Sequence, residues 1–162
     1  MPDSSQFRIE KRRAEAELTL STGTRVKGAF FLSGSSAGHA GPERVGDLLN
    51  SEQAVFPFEL AGHGSPRTVL FNRAQVTMIA LPPNVIEAQL DPGYDLATKR
   101  RVSILLSTGT RVSGTVSVSR PAGYHRLSDY AQVGEVFRYL ETSDRTLIIN
   151  FAHIVELLEI AE

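Results

Sequence analysis

The heptapeptide Leu-Ser-Thr-Gly-Thr-Arg-Val stands at residues 20–26 and again at residues 106–112. Each copy leads into the same series of later landmarks, so the chain is one small unit written twice. The copies span residues 11–83 and 99–160, with a linker at residues 84–98. This duplication constrains the fold more tightly than composition does. A unit of roughly 70 residues buries too little surface to be more than marginally stable alone. Two copies in one chain therefore gain by burying surface against each other or against another subunit.

The landmarks read as strands. Lys11-Arg12-Arg13 and Lys99-Arg100-Arg101 open the copies, and alternating polar and apolar residues follow at 17–20 and 102–106. Ser-Thr-Gly-Thr then makes a hairpin turn, with Gly23 and Gly109 where positive φ is needed. In the second strand Val112, Gly114, Val116 and Val118 share a face, matched by Val26, Gly28, Phe30 and Leu32. Gly28 and Gly114 predict a sharp bend or bulge of the kind that closes a small barrel. A Gly/Ser/Pro-rich insertion at 34–42, shorter at 120–124, leads into helical turns at 44–50 and 126–131. The apolar residues of each turn fall on one face and would plug a barrel mouth. Third strands are predicted at 54–60 and 135–140, fourth strands at 68–71 and 146–149. Single 3₁₀ turns follow at 72–74 and 150–152, and fifth strands at 76–81 and 154–158. Pro57 should face an edge or a bulge, because it cannot donate to a ladder. The linker carries turn residues and a short extended piece at 85–90.

Five short strands, a glycine-bent second strand and a one-turn break before the fifth resemble the Sm-like small barrel, an SH3-like fold. Gly23-Thr-Arg-Val-Lys-Gly28 and Gly109-Thr-Arg-Val-Ser-Gly114 look like the first motif of that family. Leu70-Phe-Asn-Arg-Ala-Gln-Val76 and Ile148-Ile-Asn-Phe-Ala-His-Ile154 occupy the place of its second motif. The pattern is also similar to that of bacterial proteins that combine a short helix with a barrel. The resemblance implies a mainly all-β protein of two tandem five-stranded Sm-like or SH3-like barrels, each with one short helix. It also implies assembly through edge strands. The family's Asp-x-x-x-Asn stretch, which contacts RNA bases, is replaced here by the insertion and helix. Its Arg-Gly gives way to Asn72-Arg73 and Asn150-Phe151. The resemblance thus carries over no RNA site residue by residue.

The net charge of −1 argues against a strong, non-specific hold on nucleic acid or an anionic membrane. The absence of cysteine excludes disulfides and thiolate chemistry. His39, His63, His125 and His153 form no pair at ligand spacing, so no metal site is expected. No Gly-x-Ser-x-Gly follows a strand, and no glycine-rich loop leads into a helix. The expectation is a protein that is not an enzyme and needs no cofactor. The N-terminus has no apolar run and no stretch approaches the ~20 residues of a membrane span, so a cytoplasmic location is expected.

Several polar residues are duplicated: Arg25 with Arg111, Arg44 with Arg126, Asp47 with Asp129, Arg67 with Arg145, and Asn72 with Asn150. The bland reading is structural. Arg44 and Asp47 can pair on a helical turn, and Asn72 and Asn150 can cap the turns they begin. The sharper reading is a partner-binding patch built from Arg44, Asp47, Asn72, Arg126, Asp129 and Asn150, presented twice. The sequence therefore points to a non-enzymatic interaction or assembly module, with a protein partner or self-association into a homo-oligomer. RNA binding through an Sm-like surface is the alternative.

Overall fold

A computed structural model describes residues 11–34, 41–62, 64–118, 127–132 and 134–160. His39, His63, His125 and Arg126 lie outside the described residues, as does most of both insertions.

The first repeat forms β1 (Lys11–Leu20), β2 (Arg25–Ser33), the five-residue helix α1 (Val45–Leu49), β3 (Val55–Leu60), β4 (Arg67–Asn72) and β5 (Val76–Ala80). The second forms β6 (Thr98–Leu106), β7 (Arg111–Val118), α2 (Leu127–Gln132), β8 (Phe137–Glu141), β9 (Thr146–Asn150) and β10 (Ile154–Glu159). The order of elements is the same in both, as the repeated sequence requires. A 3₁₀ turn precedes each fifth strand, at Arg73–Gln75 and Phe151–His153. The basic triplets do not stand before the first strands but lie within them.

The fold is mainly β, but the expected pair of separate barrels is corrected. All ten strands join one antiparallel sheet in the order β10-β6-β7-β8-β9-β5-β1-β2-β3-β4. Neither repeat closes on itself, because β5 gives its outer edge to β9 of the other repeat. The register there is Met78↔Ile149, Ile79↔Ile148 and Ala80↔Leu147. A ladder that could have closed each roll instead welds the two repeats together, leaving β4 and β10 at the ends of the sheet.

Gly28 and Gly114 do not mark bulges, since the β1–β2 and β6–β7 registers run through them unbroken. They permit close approach instead. A Cβ on Gly28 would fall 2.0 Å from the Glu59 carbonyl oxygen, and one on Gly114 would fall 2.6 Å from that of Glu141. The bulges lie elsewhere, where β5 skips Thr77 against β1 and β10 skips Val155 against β6. Gly23 and Gly109 do take positive φ, at 87° each, in the hairpin turns. The β2–β3 ladder stops at Phe58, so Pro57 sits just beyond it and costs no bond on that side.

Each repeat keeps its own apolar core. Leu18, Phe30, Leu32, Phe58 and Ile79 fill the first, and Val45 and Leu49 on α1 close it at one end. Val102, Ile104, Val116, Leu140 and Leu147 fill the second, with Leu127 and Tyr130 of α2 packed against it. The cores exchange residues. Ile148 and Phe137 of the second repeat belong to the first core, while Met78 and Ala80 of the first repeat face the second. The alternation of side chains along β9 directs Ile148 one way and Leu147 and Ile149 the other. No helix of the described residues is long and apolar enough to cross a membrane.

The linker is not extended over residues 85–90. It folds into 3₁₀ turns at Ala88–Leu90 and Tyr94–Leu96, and buries Glu87 and Ala88 between the repeats.

Candidate functional site

Two features stand apart from ordinary core: a polar clasp at the junction of the repeats, and the two open edges of the sheet.

The clasp is built on Arg44, the residue before α1. Its Nε and Nη2 donate to the two carboxylate oxygens of Asp47 at 3.1 and 3.0 Å. The Arg44 amide donates to the same carboxylate at 2.8 Å, so Asp47 caps its own helix start. Nη1 reaches into the linker, donating to Asp91 at 2.6 Å and to the Glu87 carbonyl at 3.0 Å. The guanidinium also lies 5.5 Å from the centroid of the Tyr139 ring on β8.

Beneath it, Glu87 is only 4% exposed as a residue, and its carboxylate faces inward. It accepts from the amides of Val45 and Gly46 at 2.8 and 3.2 Å, and from the Tyr139 hydroxyl at 2.9 Å. One side chain of the linker thus satisfies two unpaired amides at the start of α1 and a phenol of the second repeat. Gly46 leaves room for that phenol, because a Cβ there would fall 2.4 Å from the Tyr139 oxygen. Nearby, Asn50 donates to Glu135 at 2.6 Å and to the Phe137 carbonyl at 2.8 Å, and accepts from the Phe137 amide at 2.9 Å. Tyr94 and Gln89 of the linker donate to Glu141 on β8.

Arg44, Asp47, Asp91, Glu135, Tyr139 and Glu141 line a cleft of about 330 Å³ between α1 and β8. Burial tends to lower the pKa of Arg44, but its bonds to Asp47 and Asp91 outweigh that and raise it, so it stays charged. Burial raises the pKa of Glu87 above the usual carboxylate range, partly offset by the amides of Val45 and Gly46. Burial, then the charges of Asp47 and Asp91, raises Glu135 as well. Burial and the adjacent Glu87 charge push Tyr139 well above its ordinary value. Tyr94 and Tyr130 are pushed up to about 12, each chiefly by burial.

The structure therefore brings Arg44 and Asp47 together and directs both into the protein. It places Asn72 and Asn150 away from them, each starting the 3₁₀ turn before a fifth strand. Asn72 accepts from Ala74 N and Asn150 from Ala152 N, both at 2.9 Å. Asn150 has a second task across the junction, donating to the Val76 carbonyl at 2.9 Å. Asp129 lies on α2, and Arg126 lies outside the described residues. Arg111 on β7 donates to Ser103 on the adjacent β6 and reaches across it to Glu156 on β10. Glu87, Asp91 and Tyr139 are the residues that sequence reasoning missed. A lone carboxylate among Val85, Ile86 and Ala88 was the one available signal for Glu87.

His153 also serves the junction. Its Nε2 lies 2.6 Å from the Ala74 carbonyl, an acceptor only, which assigns the ring proton to that nitrogen. Nδ1 then accepts from the Ser107 hydroxyl at 2.8 Å. Among the described residues, no group of three or more His, Asp or Glu side chains is placed to hold a metal ion.

The open edges carry exposed large apolar residues, as the linker does at Ile86, Leu90 and Leu96. Leu70 on β4 is 66% exposed, and Val155 and Leu158 on β10 are 65% and 53% exposed. A long apolar edge strand is a template for pairing with another chain. No family model, curated protein or solved structure matches the chain.

Proposed function

We propose that the protein is a non-enzymatic assembly module whose working surfaces are the two ends of its sheet. The observation that carries this reading is the pair of apolar edge strands, β4 and β10, left open by a sheet that runs through both repeats. Main-chain bonding at such an edge gives affinity with little demand on sequence, and the apolar side chains add selectivity. The clasp serves the same end by fixing the angle between the repeats. Its charged groups are committed to one another and to backbone, in the manner of a structural network. The RNA reading draws less support. Arg44 spends its guanidinium on Asp47, Asp91 and Glu87, and Arg73 spends its own on the carbonyls of Leu49 and Ser51.

Sedimentation velocity over a wide concentration range tests the proposal. The wild-type chain should sediment as a multimer, and Leu70→Lys should shift it to the single-chain mass with unchanged circular dichroism. A wild-type chain that stays monomeric at the highest concentration, alone and in the presence of RNA, would defeat it.

A further inference from the structure

We propose that the cleft along β8 is a binding site for a linear aliphatic polyamine. The site is separate from the assembly surfaces, since it uses neither end of the sheet.

The cleft follows one face of the sheet. Side chains alternate along an extended strand, so Phe137, Tyr139 and Glu141 of β8 share a face. Thr115 on β7, opposite Glu141, shares that face with Ser117. Gly46 and Asp47 of α1 and Ala88 and Asp91 of the linker line the other side. β7 and β8 pair at Thr115↔Glu141 alone, whereas the matching strands of the first repeat pair at three positions. Further along, Asn50 takes the place of β7, bonding both main-chain groups of Phe137 through its side-chain amide. The cleft of about 330 Å³ lies where the strands part.

Its charges do not balance. Carboxylates outnumber guanidiniums in the lining by four to two. Arg44 pairs with Asp47 and Asp91. Arg138 bonds to neither remaining carboxylate: it donates to the main-chain carbonyls of Glu135 and Tyr130 and lies over the rings of Tyr130 and Phe151. Among the described residues, the carboxylates of Glu135 and Glu141 accept only from neutral groups, Asn50 for the first and Gln89 and Tyr94 for the second. The first repeat shows what is missing. Glu59 stands opposite Ala29 as Glu141 stands opposite Thr115, and Arg13 pairs with it. Lys99 holds the place of Arg13, opposite Ser117 as Arg13 is opposite Phe31, but it turns away from Glu141. It donates to the Tyr94 carbonyl at 3.0 Å and to Ser117 at 2.7 Å, with its ammonium 3.3 Å from the Tyr94 ring centroid. A carboxylate paired in one repeat thus faces the cleft without its cation in the other. Glu135 is crowded too: burial, then the charges of Asp47 and Asp91, raise its pKa, and a bound cation relieves that penalty.

The spacing of these two carboxylates selects the ligand. Glu135 precedes β8 and Glu141 ends it, and the four steps of extended chain from Phe137 to Glu141 alone cover about 13 Å. A single small cation reaches one carboxylate and not the other. Among the described residues no group of three or more His, Asp or Glu side chains is placed to hold a metal ion. Between the carboxylates the lining is apolar, from Phe137, the Tyr139 ring and Ala88. Ammonium groups separated by methylenes match that order of charge, apolar surface and charge. The Thr115 hydroxyl beside Glu141 offers a further acceptor. A volume near the lower end of small-molecule sites suits a free polyamine rather than a peptide.

Isothermal titration of the full chain with spermidine tests the site. We expect one spermidine per chain, with Glu135→Gln and Glu141→Gln each weakening binding at least tenfold. Glu52→Gln, at an exposed position outside the lining, should leave binding unchanged. Circular dichroism should be the same for all three variants. n-Butylamine, which has a single ammonium, should bind the wild-type chain at least tenfold more weakly than spermidine, a comparison that needs no variant. Absence of binding at millimolar spermidine would overturn the proposal. So would equal affinity for n-butylamine, displacement by equimolar magnesium, or an equal loss in Glu52→Gln. Trilysine binding more tightly than spermidine would assign the cleft to a protein partner and overturn it as well. Each of these results leaves the sedimentation test of assembly standing.

Discussion

Glu87 shows how one side chain can decide the meeting of two repeats. It is a carboxylate surrounded by donors: two amides of α1 and the Tyr139 hydroxyl. Glu87→Ala strands all three, and a buried unpaired donor costs about 1–3 kcal/mol. We expect a loss of roughly 2–4 kcal/mol in urea unfolding, with Glu87→Gln intermediate because its amide faces one of those donors. The pH dependence has a definite sign. The folded pKa of Glu87 lies above its ordinary 4.5, so the folded chain binds a proton that the unfolded chain releases. Its contribution is greatest below 4.5 and is lost as pH rises through the folded value. Wild-type stability measured by urea unfolding should fall across that window, and Glu87→Gln should flatten the fall. None of this was legible from the duplication, because Glu87 lies in the linker, which has no second copy to mark it. Arg44 and Asp47 were legible as a pair, but their direction into the protein depends on Asp91 and the Glu87 carbonyl, both distant in sequence.

At the scale of elements, two glycines of one repeat do different work. Gly23 needs positive φ and has open space around it, whereas Gly28 needs the room a Cβ would take from β3. Gly23→Ala should cost about 1–2 kcal/mol through backbone strain alone. Gly28→Ala forces β2 and β3 apart and should cost more, about 1–3 kcal/mol or above, with lower amide protection over β3. Comparing thermal midpoints with exchange maps separates the two causes. The strands themselves were readable from alternation and turn residues, since both depend on near neighbours in the chain. Closure was not. Whether β5 pairs with its own β4 or with β9 is a choice between distant partners with nearly the same pattern, Val69-Leu70-Phe71 against Leu147-Ile148-Ile149.

For the molecule as a whole, shared core residues predict shared fate. All four tyrosines lie at position 94 or later, so their fluorescence reports the linker and second repeat, while far-ultraviolet circular dichroism reports every strand. The two signals should trace one coincident unfolding transition. Ile148→Ala opens the first core from within the second repeat and should cost about 2–5 kcal/mol without separating the signals. Two resolved transitions would show that the repeats are independent.

The crossing of Ile148 also orders events in time. A ribosome delivers the N-terminal residues first, but the first core lacks a buried member until residue 148 has been made. The early half must therefore wait, incompletely filled and with β5 uncovered, until β9 has been made. Nascent chains stalled before that point should remain open to protease in the first repeat, and those carried past β10 should become resistant in both repeats together.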